Sequence, residues 1–177
     1  MVFYLDPIWE EYLKHRNLDQ LREDILTCPW HSSPKMADES LLMQAVISSD
    51  LGAAKLLMSL GESPSAPASD GFSLLHKAVD EATEAATDLE RGKALAILTA
   101  LLEGGADPNV QGIDGTPLHR AAGAGDIDAA RILLAHGADP EVRMLIDGEL
   151  PPIVYAELMG KPLMVQFLRE AGANRKQ

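Results

Sequence analysis

A seven-residue opening recurs along this chain, and each copy is followed by the same kind of ending. Thr116-Pro117-Leu118-His119-Arg120-Ala121-Ala122 leads through Gly125-Asp126 and Ile132-Leu133-Leu134 to Gly137-Ala138-Asp139-Pro140. Ser73-Leu74-Leu75-His76-Lys77-Ala78-Val79 opens alike and closes on Leu101-Leu102 and Gly105-Ala106-Asp107-Pro108. Another 33 residues back, Ser40-Leu41-Leu42-Met43-Gln44-Ala45-Val46 leads to Leu56-Leu57 and Gly61-Glu62-Ser63-Pro64. A fourth copy runs from Pro151-Pro152-Ile153-Val154-Tyr155-Ala156 through Gly160 and Phe167-Leu168 to Gly172-Ala173-Asn174. Self-similarity at such a period constrains the fold strongly, because a unit this short cannot bury its apolar face alone and must stack on its neighbours.

Each unit can be read physically. Ser40, Ser73 and Thr116 carry side-chain oxygens that can accept from the first free amides of a helix, and Pro117 occupies the first helical position, where no N–H is needed. Ala45, Ala78, Ala121 and Ala156 are small enough to let neighbouring units approach closely. A second apolar run at helical spacing, such as Ala130, Leu133 and Leu134, can bury a face against the next unit. Gly61, Gly105, Gly137 and Gly172 are then expected to end that helix in a left-handed conformation.

This pattern resembles the ankyrin repeat, nearly end to end in the third unit. The resemblance implies an all-α solenoid of helix-turn-helix units with connecting loops, about four repeats over residues 36–177. His76 and His119 fall on the motif histidine of that family, whose ring usually bonds backbone groups to stitch adjacent loops. Residues 1–35 fit less well. Pro7 to His15 and Asn17 to Leu26 each read as an amphipathic helix, so the segment is expected to be an N-terminal helical cap or a degenerate repeat. At the other end Pro151 replaces the capping Thr, and Arg169 stands where Leu134 stands in the third unit.

One unit is longer than the others. His76 and His119 stand 43 residues apart whereas Leu101 and Leu133 stand 32 apart, which places an insertion at about residues 80–92. Ala78, Ala82, Ala85, Ala86 and Leu89 share one side at helical spacing, with no proline or glycine before Gly92, so the insertion is expected to extend an inner helix by about three turns. Asp80, Glu84 and Asp88 then fall at i, i+4 and i+8, with Glu81 and Glu90 nearby, forming an acidic stripe. Like charges at this spacing cost a helix about 0.2–0.5 kcal/mol per pair, so the stripe contributes little to folding.

Composition narrows the function. The formal net charge of −12 argues against nucleic acid and anionic membranes as partners and favours a protein with a basic surface. The single cysteine, Cys28, permits no internal disulfide, no stretch approaches the length of a membrane span, and Met1 to Pro7 carries no leader pattern, so a cytoplasmic monomer is expected. Cys28 and His31 lack a second pair at zinc spacing, and Gly123 and Gly125 lack the third glycine of a dinucleotide fingerprint, Asp128 standing in its place. No metal, cofactor or catalytic residue is expected, and no serine or cysteine sits in a nucleophile motif.

The resemblance implies that loop tips and inner helices bind another protein. Carried over position by position, the tips are Glu39, Phe72, Ile113 and Leu150, and the exposed inner-helix positions are Ile47, Asp80, Glu81, Leu158 and Met159, with Gln44, Lys77, Arg120 and Tyr155 beside them. With Glu84 and Asp88 of the stripe, these residues are the candidate partner-binding set. Gly123 and Ala124 are expected to leave a shallow hollow there for a partner's side chain. The expected role is a non-enzymatic inhibitor, such as an immunity protein for a basic bacterial toxin. An adaptor or chaperone-like scaffold that positions a client without inhibiting it is the alternative.

Overall fold

The computed structural model describes residues 7–27, 40–65, 71–144 and 149–174. Ten helices lie among the described residues: α1 (Pro7–His15), α2 (Leu18–Thr27), α3 (Leu41–Ile47), α4 (Leu51–Ser59), α5 (Leu74–Glu84), α6 (Asp88–Glu103), α7 (Pro117–Ala124), α8 (Ile127–Ala135), α9 (Pro152–Leu158) and α10 (Pro162–Asn174). The odd-numbered helices α3, α5, α7 and α9 pack in series as an inner layer, and α2, α4, α6 and α8 pack in series as an outer one. This is the all-α solenoid expected.

The inner helices start where the caps stand. The Ser40 side chain accepts from the Met43 amide at 3.0 Å, and Ser73 and Thr116 are N-caps of α5 and α7. Ala45, Ala78, Ala121 and Ala156 are each no more than 1% exposed, so successive inner helices meet over methyl groups. Leu42, Leu75 and Leu118, along with Leu57, Leu101 and Leu133 of the outer layer, fill the space between layers. Each such leucine contributes roughly 1.5–3 kcal/mol of burial.

Gly61, Gly105 and Gly137 adopt the left-handed conformation expected after the outer helices. Gly172 does not, since α10 runs through it to Asn174. The alanines on either side favour helix strongly enough to carry one glycine.

A second left-handed position marks the turn between the two helices of a unit. It is Ser49 in the α3–α4 turn, Gly125 in α7–α8 and Gly160 in α9–α10. Arg16 takes the same conformation between α1 and α2, with φ 51° against 49° for Ser49. Asp50 and Asp126 follow it and cap the outer helices, accepting from the amides of Ala53 and Ala129.

The long unit departs from expectation. Its inner helix gains about one turn and stops at Glu84, because Ala85 turns extended (ψ 128°) and Thr87 starts a new helix. Thr87 and Glu90 form a reciprocal capping box, a signal as strong as any start in the sequence. The remaining residues lengthen the outer helix α6 to 16, against 9 in α4 and α8, projecting its start by about 10 Å. The insertion therefore does not extend one inner helix by three turns. Leu89, expected to share one side of that helix with Ala78 and Ala82, is 70% exposed whereas those two are buried.

Arg91 fastens this projection to the next unit. Its guanidinium meets Asp126 bidentately at 2.7 Å on both arms, reaches Asp128 at 3.1 Å and donates to the Ala82 carbonyl at the end of α5. The Asp126 side chain is 3% exposed, so removing Arg91 strands a buried charge. Arg91→Ala is expected to cost about 2–3 kcal/mol in urea unfolding. Asp126→Asn keeps the helix cap, and combining it with Arg91→Ala should recover more than half of that loss.

Candidate functional site

The inner-helix face is built by side chains at fixed distances from each cap. Four residues on stand Gln44, Lys77, Arg120 and Tyr155, all half-buried, and seven on stand Ile47, Asp80, Gly123 and Leu158. Close approach of the helices makes the longer side chains lie across the neighbouring unit. Arg120 of α7 reaches back to Asp80 of α5 at 3.4 Å and to Asp114 at 3.3 Å, while its guanidinium carbon lies 4.4 Å from the centre of the Phe72 ring. Lys77 approaches the same ring, its Nζ at 5.1 Å. Two cations thus lie against the Phe72 ring, each contact worth about 0.5–2 kcal/mol.

These contacts join Phe72, Lys77, Asp80 and Arg120 into one cluster. Ile47, Ile113, Leu158 and Met159 are exposed, as their positions imply, and Glu84 and Asp88 are exposed too. Leu150 and Tyr155 are half-buried, and Glu39, like Cys28 and His31, lies outside the described residues. Asp88 belongs to α6 whereas Asp80 and Glu84 belong to α5, so the three carboxylates do not line one helix. Asp114 is a member that sequence reasoning missed. Its proximity to Arg120 depends on the hairpin closed by Gly112 and Gly115, which no spacing rule in the chain announces.

Half-burial raises the affinity of Asp80 and Glu81 for protons. Desolvation is the main cause in both; Arg120 and Lys77 work against it at Asp80, whereas at Glu81 the charges of Glu84 and Asp80 add to it and Lys77 opposes. The face therefore holds negative charge that the chain itself compensates incompletely.

The expected hollow at Gly123 is filled from within. A Cβ at Gly123 would stand 2.6 Å from Cε1 of Tyr155, so the ring of the following unit already covers the glycine. Gly123→Ala is expected to destabilise by about 1 kcal/mol through this clash. In a Tyr155→Ala background the same change should instead stabilise by about 1 kcal/mol, the ordinary helix gain over glycine, as read by thermal or urea melts.

Behind the face, the two histidines stitch consecutive loops. His76 Nδ1 accepts from the Ser73 amide at 3.1 Å, and its Nε2 donates to the Gly115 carbonyl at 3.1 Å. His119 does the same with the Thr116 amide at 3.1 Å and the Leu150 carbonyl at 2.9 Å. Amides only donate and carbonyls only accept, so each ring is neutral with its proton on Nε2. Burial pushes His76 down to about 4, against the opposing Gly115 bond, and holds His119 below its usual value.

Because the unfolded histidines bind protons that the folded ones refuse, stability is full above pH 6.5 and falls as pH drops toward 4 for His76. The expected loss from His76 is about 2 kcal/mol between pH 7 and pH 5. Asp80 and Glu81, shifted upward, act with the opposite sign and at lower pH, so the histidine slope is cleanest above pH 5. Urea melts of His76→Gln should show a shallower pH slope over this range than those of the parent protein.

The stacked helix pairs and histidine-stitched loops define a protein-interaction solenoid. Residues 84–177 match the family description "Ankyrin repeats (3 copies)", more than half of the chain, and the protein belongs to the ankyrin-repeat family. It is also similar to Protein PhlB of Serratia liquefaciens, 42% identical over 76 residues. That segment is 42% of this chain and 33% of PhlB, so the match spans about a third of that relative's length. No helix among the described residues is long and apolar enough to cross a membrane.

Proposed function

We propose that this ankyrin-repeat protein is a non-enzymatic stoichiometric inhibitor of a basic protein, of the kind that serves as immunity partner to a bacterial toxin. The observation that carries this reading is the partly desolvated, incompletely compensated negative charge of Asp80 and Glu81 on the inner-helix face. Burying a carboxylate beside other carboxylates costs folding energy, and a cation brought by a partner would offset that cost. The net charge of −12 would speed encounter with such a partner through long-range attraction. Phe72, Ile113, Leu150, Tyr155, Ile47, Leu158 and Met159 supply apolar contact around this charge, and Glu84 and Asp88 extend its rim. Lys77 and Arg120 shape the face from within by holding Phe72 and Asp80 in place.

The α1–α2 pair is proposed to be a degenerate first repeat rather than an unrelated hairpin. Its support is the left-handed Arg16 turn, matched in three later units, and the docking of α2 on α4. Arg16 also bonds Asp50 at 2.6 Å, the same turn carboxylate position that Arg91 grips at Asp126.

The test is affinity capture of the tagged protein from its native lysate at low and high salt, with activity assays on what is eluted. One basic enzyme, captured in equal amount, inactive while bound and released at high salt, is the expected result. A client that stays active in the complex would replace inhibition by an adaptor role. Glu81→Lys with Glu84→Lys should leave the fold intact and weaken binding at least about tenfold.

A further inference from the structure

Large apolar side chains are exposed at eight positions among the described residues, and they are not scattered. Leu18, Ile47, Leu89, Leu158, Met159 and Leu163 each lie within two residues of a turn that joins the two helices of a unit, or within it. Of the other two, Ile113 is at a hairpin tip and Leu26 near the end of α2. Serial packing of the helix pairs brings these turns together along one edge of the solenoid, the edge away from the Gly112–Gly115 hairpin. Leu89, Leu158 and Leu163 are the most exposed of the set, at 70%, 69% and 71%.

Packing does not ask for an apolar residue at two of these positions. Ile47 and Leu158 share their register position with Asp80 and Gly123, so the fold accepts a charge or no side chain there. Leu89 stands on the projecting start of α6, which the capping box and the Arg91 clamp hold in place. Between Leu89 and the α9–α10 turn, Thr83, Arg91, Ala124, Ile127, Asp126 and Asp128 help line a cleft of about 350 Å³, and the stem of Lys161 lies close against Gly125. The flank is mainly acidic: Glu84, Asp88 and Glu90 lie at the projection with the exposed Lys93 among them, while Arg16 and Arg91 are engaged by Asp50 and Asp126 and Lys161 stands in the last turn.

We propose that this turn edge is a docking surface for the basic partner, which seats an apolar ridge flanked by lysine or arginine in the cleft between Leu89 and Leu158. Apolar anchors inside a charged rim are the arrangement that gives an interface both its affinity and its orientation. The inference rests on the reading that the chain binds a basic protein, and it moves the main contact from the hairpin tips to the opposite edge.

Site-specific photo-crosslinking in the producing cells tests it, with p-benzoylphenylalanine replacing Leu89, Leu158 or Ile113 in turn. One-to-one adducts with a different protein at positions 89 and 158, mapped to an apolar partner segment beside lysine or arginine, are expected, with at least about fivefold less adduct at 113. Adducts mainly at 113, adducts with a second copy of this chain, or no adduct at 89 and 158 would each overturn the proposal. Against the partner so identified, Leu89→Asp with Leu158→Asp should reduce affinity about a hundredfold, at least tenfold more than Ile113→Asp does. The reverse order would also overturn it. Partner activity in the complex decides inhibition separately: an edge-bound partner that remains active would end the inhibitor reading alone.

Discussion

Inner helices approach one another over the methyl groups of Ala45, Ala78, Ala121 and Ala156, and most other features of the molecule follow from that short distance. Because the backbones are close, long side chains one position nearer the cap can lie across the preceding unit. Arg120 reaches Asp80 and Phe72 in the preceding unit, and Tyr155 lies over Gly123. Close approach also lets the imidazoles of His76 and His119 reach the next loop's carbonyls directly. A larger residue at any of these alanines would separate the layers and loosen the loops together, since the units share one continuous core.

A stack of this kind has few places for extra chain. Residues inserted within the layers would break the contact between neighbours, so the long unit puts them at the turn edge, lengthening α5 slightly and α6 substantially. The projection is kept rigid by electrostatics in a partly buried setting, where an arginine with matched bidentate geometry holds better than at an open surface. Asp50 and Asp126 show the same device twice. Each caps an outer helix and receives an arginine from an earlier element, 34 and 35 residues away in sequence.

Three of the chain's arginines are engaged in such internal pairs, Arg16, Arg91 and Arg120. The acidic excess is consequently displayed outward rather than neutralised, and part of it is half-buried on the inner face. Asp80 and Glu81 are held there partly desolvated, which raises their affinity for protons.

The ankyrin resemblance supplied the role of the histidines, and the sequence by itself determined the repeat, its period, the caps at Ser40, Ser73 and Thr116 and the close-packing alanines. These are local or periodic properties, and a residue's neighbours along the chain are enough to express them. The length of the insertion was also legible, but not its path. Alanine spacing favoured one long helix, but the chain breaks after Glu84, and the capping box of Thr87 and Glu90 satisfies the amides that this break frees. Tertiary structure alone decided that Arg91 would grip Asp126, that Asp114 would join the Phe72 cluster, that Tyr155 would fill the space over Gly123, and that six exposed apolar residues would share an edge. Each of these joins positions from different units, and their meeting is set by how far one unit is rotated and translated against the next, a quantity that spacing along the chain does not encode.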